Sequence, residues 1–167
     1  MSLQHAAARA GHAGGAARIS PEPIFSIRCE LANILDVGVA PFGHRRVVNI
    51  LGGPVTGSRL TGRVLPGGAD WQIVADDGCI DLHARYTLES DAGALIQVDS
   101  KGVRHGPPDV LARLGRGEDV DPSLYYFRTV MRFETAHPST DWLNRILALA
   151  RGAREKNAVR LDVYEVL

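Results

Sequence analysis

From Ile80 to Leu88 apolar and polar residues alternate without a break. Ile80, Leu82, Ala84, Tyr86 and Leu88 fall on one side of an extended chain; Asp81, His83, Arg85 and Thr87 fall on the other. A period of two marks a strand with one buried face. Asp77-Gly78 stands just before it, a dipeptide suited to a tight hairpin turn, and "WQIVA" precedes that turn as a second strand.

The same grammar repeats along the chain. "IFSIRCEL" places Phe25, Ile27, Cys29 and Leu31 on one face, and "RRVVNIL" reads as a strand ending at Gly52-Gly53-Pro54. "RLTGRVL" is a third, in which Gly62 suggests a bulge or a close backbone approach. "ALIQVDS", "LYYFRTVMRFET" and the terminal "VRLDVYEVL" complete the set, while "ILDVGVAPFGH" and Lys101-Gly102 read as turns. In "LYYFRTVMRFET", Phe127, Thr129, Met131 and Phe133 share the inward face, leaving Arg128, Arg132 and Glu134 outside. Two segments read as helical. Pro108 suits a short helical turn carrying Val110, Leu111 and Leu114. "PSTDWLNRILALARGARE" carries the apolar stripe of a longer helix, capped by Ser139 or Thr140.

About eight strands, short turns and no alternation of strands with helices predict one mainly β domain over residues 23–167, built on an antiparallel sheet. Half-buried strands in this number favour closure, which removes exposed edges, so a closed antiparallel β-barrel with one helix in the C-terminal half is expected. A two-sheet sandwich is the alternative. The final strand is expected to pair near the first.

A chain of 167 residues suits one domain and should bury roughly 70% of its unfolded surface. Its 19 basic and 19 acidic residues cancel, which argues against nucleic acid as a partner. No apolar run approaches the ~18 residues that span a bilayer. The first 22 residues, rich in Ala and Gly but lacking an apolar core, are read as a disordered leader, and the cytoplasm is the default compartment. Cys29 and Cys79 have no CxxC spacing and suit buried thiols. The histidines show neither HxH nor HExxH spacing, and no phosphate-cradling glycine loop or nucleophile elbow occurs. Neither a metal nor a cofactor is therefore expected.

Polar residues in suggestive places remain. Asp70 follows Gly67-Gly68-Ala69 at what becomes the barrel rim, where it either ties the turn or faces the mouth as a base. Trp71 is a core residue or a stacking surface for a ligand. Tyr86, on the apolar face, needs a partner for its phenol and so either packs satisfied or donates into a cavity. Arg128 is a candidate anion contact that the strand's own alternation opposes.

The stretches "NILGGPVTGSRLTGRVLPGGADWQ", "DGCIDLHARYTLESDAGALIQVDSKG", "YYFRTVMRFET" and "WLNRILALARG" with "VYEV" follow one another over residues 24–167. In this order the chain resembles the bacterial and fungal proteins grouped as domain of unknown function 3237. The resemblance implies a closed antiparallel barrel similar to lipocalin-like or allene-oxide-cyclase-like barrels, and no established activity. By motif position it implies Asp70, Trp71, Tyr86 and Arg128 as site candidates. Three functions compete. One is a binder of a small, largely apolar or aromatic ligand bearing a carbonyl, carboxylate or phenol, with Phe25, Ile27, Ile73, Ile96, Val98 and Phe133 as walls. Another is a cofactor-free isomerase, cyclase or lyase in which Asp70 removes a proton and Tyr86 donates one. The third is a filled barrel that serves as a homo-oligomeric scaffold.

Overall fold

The computed structural model describes residues 16–167. The expected leader falls mostly outside that range. Order begins before Pro23, since Ile19 bridges Val166 and the Ser20 amide donates to the Glu165 carbonyl at 2.8 Å.

Ten strands follow in one antiparallel sheet. They are β1 (Phe25–Leu31), β2 (Leu35–Ala40), β3 (Gly43–Thr56), β4 (Gly62–Val64), β5 (Ala69–Val74), β6 (Ile80–Ser90), β7 (Leu95–His105), β8 (Tyr126–Thr135), β9 (Ala148–Arg154) and β10 (Ala158–Glu165). The helix α1 (Pro108–Gly115) lies between β7 and β8, and a 3-10 segment, Pro138–Arg145, lies between β8 and β9. Neighbours run β1-β10-β9-β8-β7-β6-β4-β3, and β1 pairs again with β3, so the ring closes. β4 and β5 both bridge β3 to β6 and share one position, which makes an eight-stave barrel. The last strand does pair with the first, Phe25 opposite Val163.

Closure depends on the 14 residues of β3. Its first half pairs with β2 and β5, its second with β1 and β4. β2, expected as a turn, is an edge strand instead. Gly38, within the stretch expected to turn, sits at a register shift with φ +89°, and the Asp36 carboxylate accepts its amide at 2.8 Å. The anticipated close approach at Gly62 is present: a Cβ there would stand 2.1 Å from the Glu89 carbonyl oxygen of β6.

The C-terminal helix expected from "PSTDWLNRILALARG" does not form. Pro138–Arg145 takes 3-10 turns, with the His137 ring rather than a hydroxyl accepting the Ser139 amide at 3.2 Å, and the chain then enters β9. Ala, Leu and Arg favour a helix locally, but β9 supplies the stave that joins β8 to β10, and tertiary pairing overrides propensity. Its inward residues are Ala148, Ala150 and Gly152, a thin stave. A Cβ on Gly152 would lie 2.4 Å from the Phe127 ring, so the glycine is what lets that ring lie across the lumen.

One half of the barrel is solid. Phe25, Ile27, Leu88, Ile96, Met131 and Val163 are fully buried there, with Phe133 edge-on to Phe25 at 5.8 Å between ring centres. The 3-10 segment lids this end. Its Leu143 is fully buried, and the Asn144 amide clamps the backbone of Thr135 with two bonds of 2.9 Å. The other half is hollow.

Candidate functional site

A cavity of about 400 Å³ occupies the open half. Along each inward face the change from solid to hollow is abrupt. On β6, Leu82, Ala84 and Tyr86 line the cavity while Leu88 is core; on β7, Ser100 and Arg104 line it while Ile96 and Val98 are core; on β8, Thr129 lines it while Met131 and Phe133 are core. Tyr86 therefore marks the floor. The mouth is framed by the C-terminal end of α1 around Leu114–Gly117 and by the β9–β10 turn at Lys156 and Asn157.

The walls are apolar where Val48, Ile50 and Leu161 face inward, and strongly polar elsewhere. Asp70 and Gln72, two apart on β5, point into the lumen. Gln72 Nε2 donates to Asp70 Oδ2 at 2.7 Å, and its Oε1 accepts Arg46 Nη2 at 2.8 Å. The His83 amide donates to the other oxygen of Asp70 at 3.1 Å. Burial raises the Asp70 carboxyl above its ordinary 3.8, with the bonds from Gln72 and His83 and the nearby Arg104 charge acting in the opposite direction.

Arg116, paired with Glu118, and the exposed Lys156 stand at the mouth, and three guanidiniums, of Arg46, Arg104 and Arg154, share the space inside it. None of these three pairs with a carboxylate among the described residues. Arg104 is pushed down to about 10, first by burial and then by repulsion from Arg154 and Arg46. Arg154 is lowered too, chiefly by burial, and its Nη1 is held by the Ala158 carbonyl at 2.9 Å. The Arg154 amide donates to the Tyr125 hydroxyl at 2.7 Å, which fixes the end of β9.

Four buried side-chain atoms have no hydrogen-bond partner among the described residues: Arg46 Nε, Arg104 Nε, Tyr86 Oη and Thr129 Oγ1. All four belong to residues that line this cavity. Such atoms are rare in folded proteins, because each forfeits its hydration without replacement. Tyr86 is held protonated by complete burial, and the Cys29 thiol beside it lacks hydrogen-bond geometry. Burial lifts that thiol to about 12.

Of the candidates named from sequence, Asp70 and Tyr86 come together on this cavity. Trp71 and Arg128 do not. Trp71 alternates with Asp70 and Gln72 and is therefore on the outer face, 47% exposed. Arg128 lies outside as its alternation required, its guanidinium 5.1 Å from the Tyr126 ring centre and its Nη1 bonded to the Phe127 carbonyl at 2.8 Å. Phe133 faces inward but belongs to the solid half, as do Phe25, Ile27, Ile96 and Val98. Ile73 shares the outer face with Trp71. None of these lines this cavity; Trp71, Val98 and Phe133 line a second, more open pocket instead.

The residues that sequence reasoning missed are the arginines and Gln72. Arg46 had a visible signal, since Arg46, Val48 and Ile50 share one face of "RRVVNIL". Arg104 was hidden because β7 runs on through the supposed Lys101-Gly102 turn to His105, and Arg154 because β9 read as helix.

Residues 19–166 match the family described as "Protein of unknown function (DUF3237)". A UPF0311 protein of Rhodopseudomonas palustris is 43% identical over 144 residues, 86% of this chain and 94% of that protein. The crystal structure of a conserved protein of unknown function from the same organism shares 40% identity with a TM-score of 0.85, covering 92% of this chain and 99% of its own. A β-barrel-like protein from Acinetobacter baumannii, 41% identical over 90% of this chain and 97% of its own, superposes with a TM-score of 0.78. The chain belongs to the DUF3237 family.

Proposed function

We propose that this member of the family binds a small, partly apolar organic anion, a carboxylate or an ionised carbonyl compound, in the open half of its barrel. The observation that supports the reading is the convergence of four partnerless buried polar atoms on one cavity with three guanidiniums and a single carboxylate. Two of the four are guanidinium Nε–H donors, the groups that meet an oxyanion side-on with two parallel bonds. Tyr86 and Thr129 then orient the rest of the molecule, and the aliphatic walls cover its body. A filled scaffold predicts no cavity of ligand size, and the open half holds one of about 400 Å³.

Calorimetric titration of aromatic and aliphatic carboxylates against their neutral amides tests the idea. The acid is expected to bind at least about tenfold more tightly than its amide, since each good charge-assisted bond contributes ~1.5–3 kcal/mol. Amides that bind as well as the acids would sink it.

A second reading, acid–base isomerisation, cyclisation or elimination, draws support from the placement of Asp70 and Tyr86 on the same cavity. There the raised Asp70 carboxylate takes a proton from a carbon next to a carbonyl, the electron pair moves onto that oxygen, and Tyr86 and the guanidiniums hold the oxyanion. Asp70→Asn is then expected to abolish turnover while ligand still binds. Turnover retained in that variant removes Asp70 as the base.

A further inference from the structure

The three cavity arginines form a cluster of like charge in which none makes a salt bridge to a carboxylate among the described residues. Arg104 stands between Arg46 and Arg154 in this respect, feeling both. Arg154 in turn feels Arg46. Asp70 is within reach of Arg46 and Arg104 but bonds to neither, because Gln72 and the His83 amide occupy its oxygens. Several arginines elsewhere in the molecule are paired with carboxylates. Arg28 holds Glu155 at 2.8 Å, Arg113 and Arg116 hold Glu118 at 3.1 and 2.7 Å, and Arg63 holds Glu89. The cluster in the cavity is a local concentration of positive charge in a chain whose charges cancel in total.

Charge counting then narrows the ligand. Inside the mouth, three guanidiniums against one carboxylate leave two positive charges in surplus; at the rim Arg116 is paired with Glu118 and the exposed Lys156 adds a further positive charge. A monoanion leaves one of them uncompensated in a poorly hydrated space, where an unpaired charge is costly. A double negative charge balances the site with Asp70 ionised. The two partnerless Nε–H donors, on Arg46 and Arg104, come from different staves, β3 and β7, with β5 and β6 between them, and so suit two oxyanion edges rather than one.

We infer that the ligand of this barrel carries a dianionic head, a dicarboxylate or a phosphomonoester, gripped jointly by Arg46, Arg104 and Arg154, with its apolar body against Val48, Ile50 and Leu161. The inference rests on the reading of the cavity as an anion site and narrows it to a charge class.

Titration of the full chain at about pH 8, where a phosphomonoester is doubly ionised, with benzoate, phthalate and phenyl phosphate as probes tests it. Phthalate or phenyl phosphate is expected to bind about tenfold or more tightly than benzoate, and which of the two prevails distinguishes the dicarboxylate from the phosphate source. Arg104→Met is expected to erase that advantage, and Arg104→Lys, which keeps the charge without the fork, to retain part of it. Thermal unfolding of both variants reports whether they are folded. Equal affinity for benzoate and the dianions overturns the dianion assignment and leaves the anion site standing. If none of the three probes binds while a neutral analogue such as benzamide does, the anion reading itself fails. Failure of all four to bind counts against both.

Discussion

Arg46 and Asp70 face the same cavity and do not touch: the Gln72 amide stands between them, 2.8 Å from one and 2.7 Å from the other. A direct ion pair would have neutralised both groups and closed the site. The bridging amide instead keeps a guanidinium and a carboxylate apart, each with capacity left for a third party. It also fixes the amide's own orientation, since its oxygen accepts and its nitrogen donates.

Asp70 should make the protein less stable as the pH rises. Its folded-state carboxyl is raised above 3.8, so the folded chain holds the proton more firmly than the unfolded chain. The contribution of that proton is fully present below the unfolded value and is lost as the pH climbs through the folded one. Asp70→Asn cannot lose it. The stability of the variant relative to the parent, from urea unfolding between about pH 4 and about pH 7, should increase with pH and then level off. A difference that is flat or falls with pH would contradict the raised carboxyl.

Arg104 should cost stability in the absence of ligand. Replacing a half-buried charge that has no salt-bridge partner by an apolar side chain of similar reach is commonly stabilising, so Arg104→Met is expected to gain about 1–2 kcal/mol, or roughly 3–6 °C in Tm. Differential scanning calorimetry of the two proteins reads this directly. A variant clearly less stable than the parent would show that the guanidinium has a structural partner.

Tyr86→Phe follows the same logic at smaller scale. The phenol hydroxyl is buried without a partner among the described residues, so removing it should leave the free protein as stable or up to about 1 kcal/mol more stable. Carboxylate binding should weaken by about 2- to 10-fold, one neutral hydrogen bond's worth. Unchanged affinity across the ligand panel would remove Tyr86 from the site.

Phe133 belongs to the solid half, and its substitution should separate folding from binding. Phe133→Leu loses the edge-on contact with Phe25 and leaves a void, at a cost of about 1–2 kcal/mol by urea unfolding. Its dissociation constant for a bound carboxylate should stay within about twofold of the parent value, an energy difference near 0.4 kcal/mol. A large loss of affinity would place the ring closer to the ligand than the solid half allows.

The two thiols should react at very different rates. Cys29 is buried with its pKa lifted to about 12, whereas Cys79 is partly exposed in the β5–β6 turn. Only the thiolate is nucleophilic, so Ellman's reagent should label Cys79 in the folded protein and Cys29 only on unfolding. Rapid labelling of both would mean that the lumen admits the reagent.

Much of the barrel was legible because its signal is local. Alternation in β1, β6 and β8 assigned inward and outward faces that the structure keeps: Phe127, Thr129, Met131 and Phe133 are buried and Arg128 is not. Asp77-Gly78 made its hairpin, with Gly78 at φ +83°, and the unpaired ends of the array announced closure. Propensity misled where tertiary pairing decided, most plainly at β9, whose Ala-Leu-Arg sequence is helical in isolation and a strand in the ring.

The sequence alone determined which side of each strong strand meets the lumen, and with it that Tyr86 would have to find a partner or face a space. Only the tertiary structure decided that the barrel is solid at one end and hollow at the other. That division depends on how the staggered staves bring rows from different strands to one level, placing Phe25, Phe133 and Ile96 together and the arginines of β3, β7 and β9 together. Those three arginines are 50 to 108 positions apart in the chain. No local pattern can say that they converge, because register around a closed ring is a property of all the strands at once.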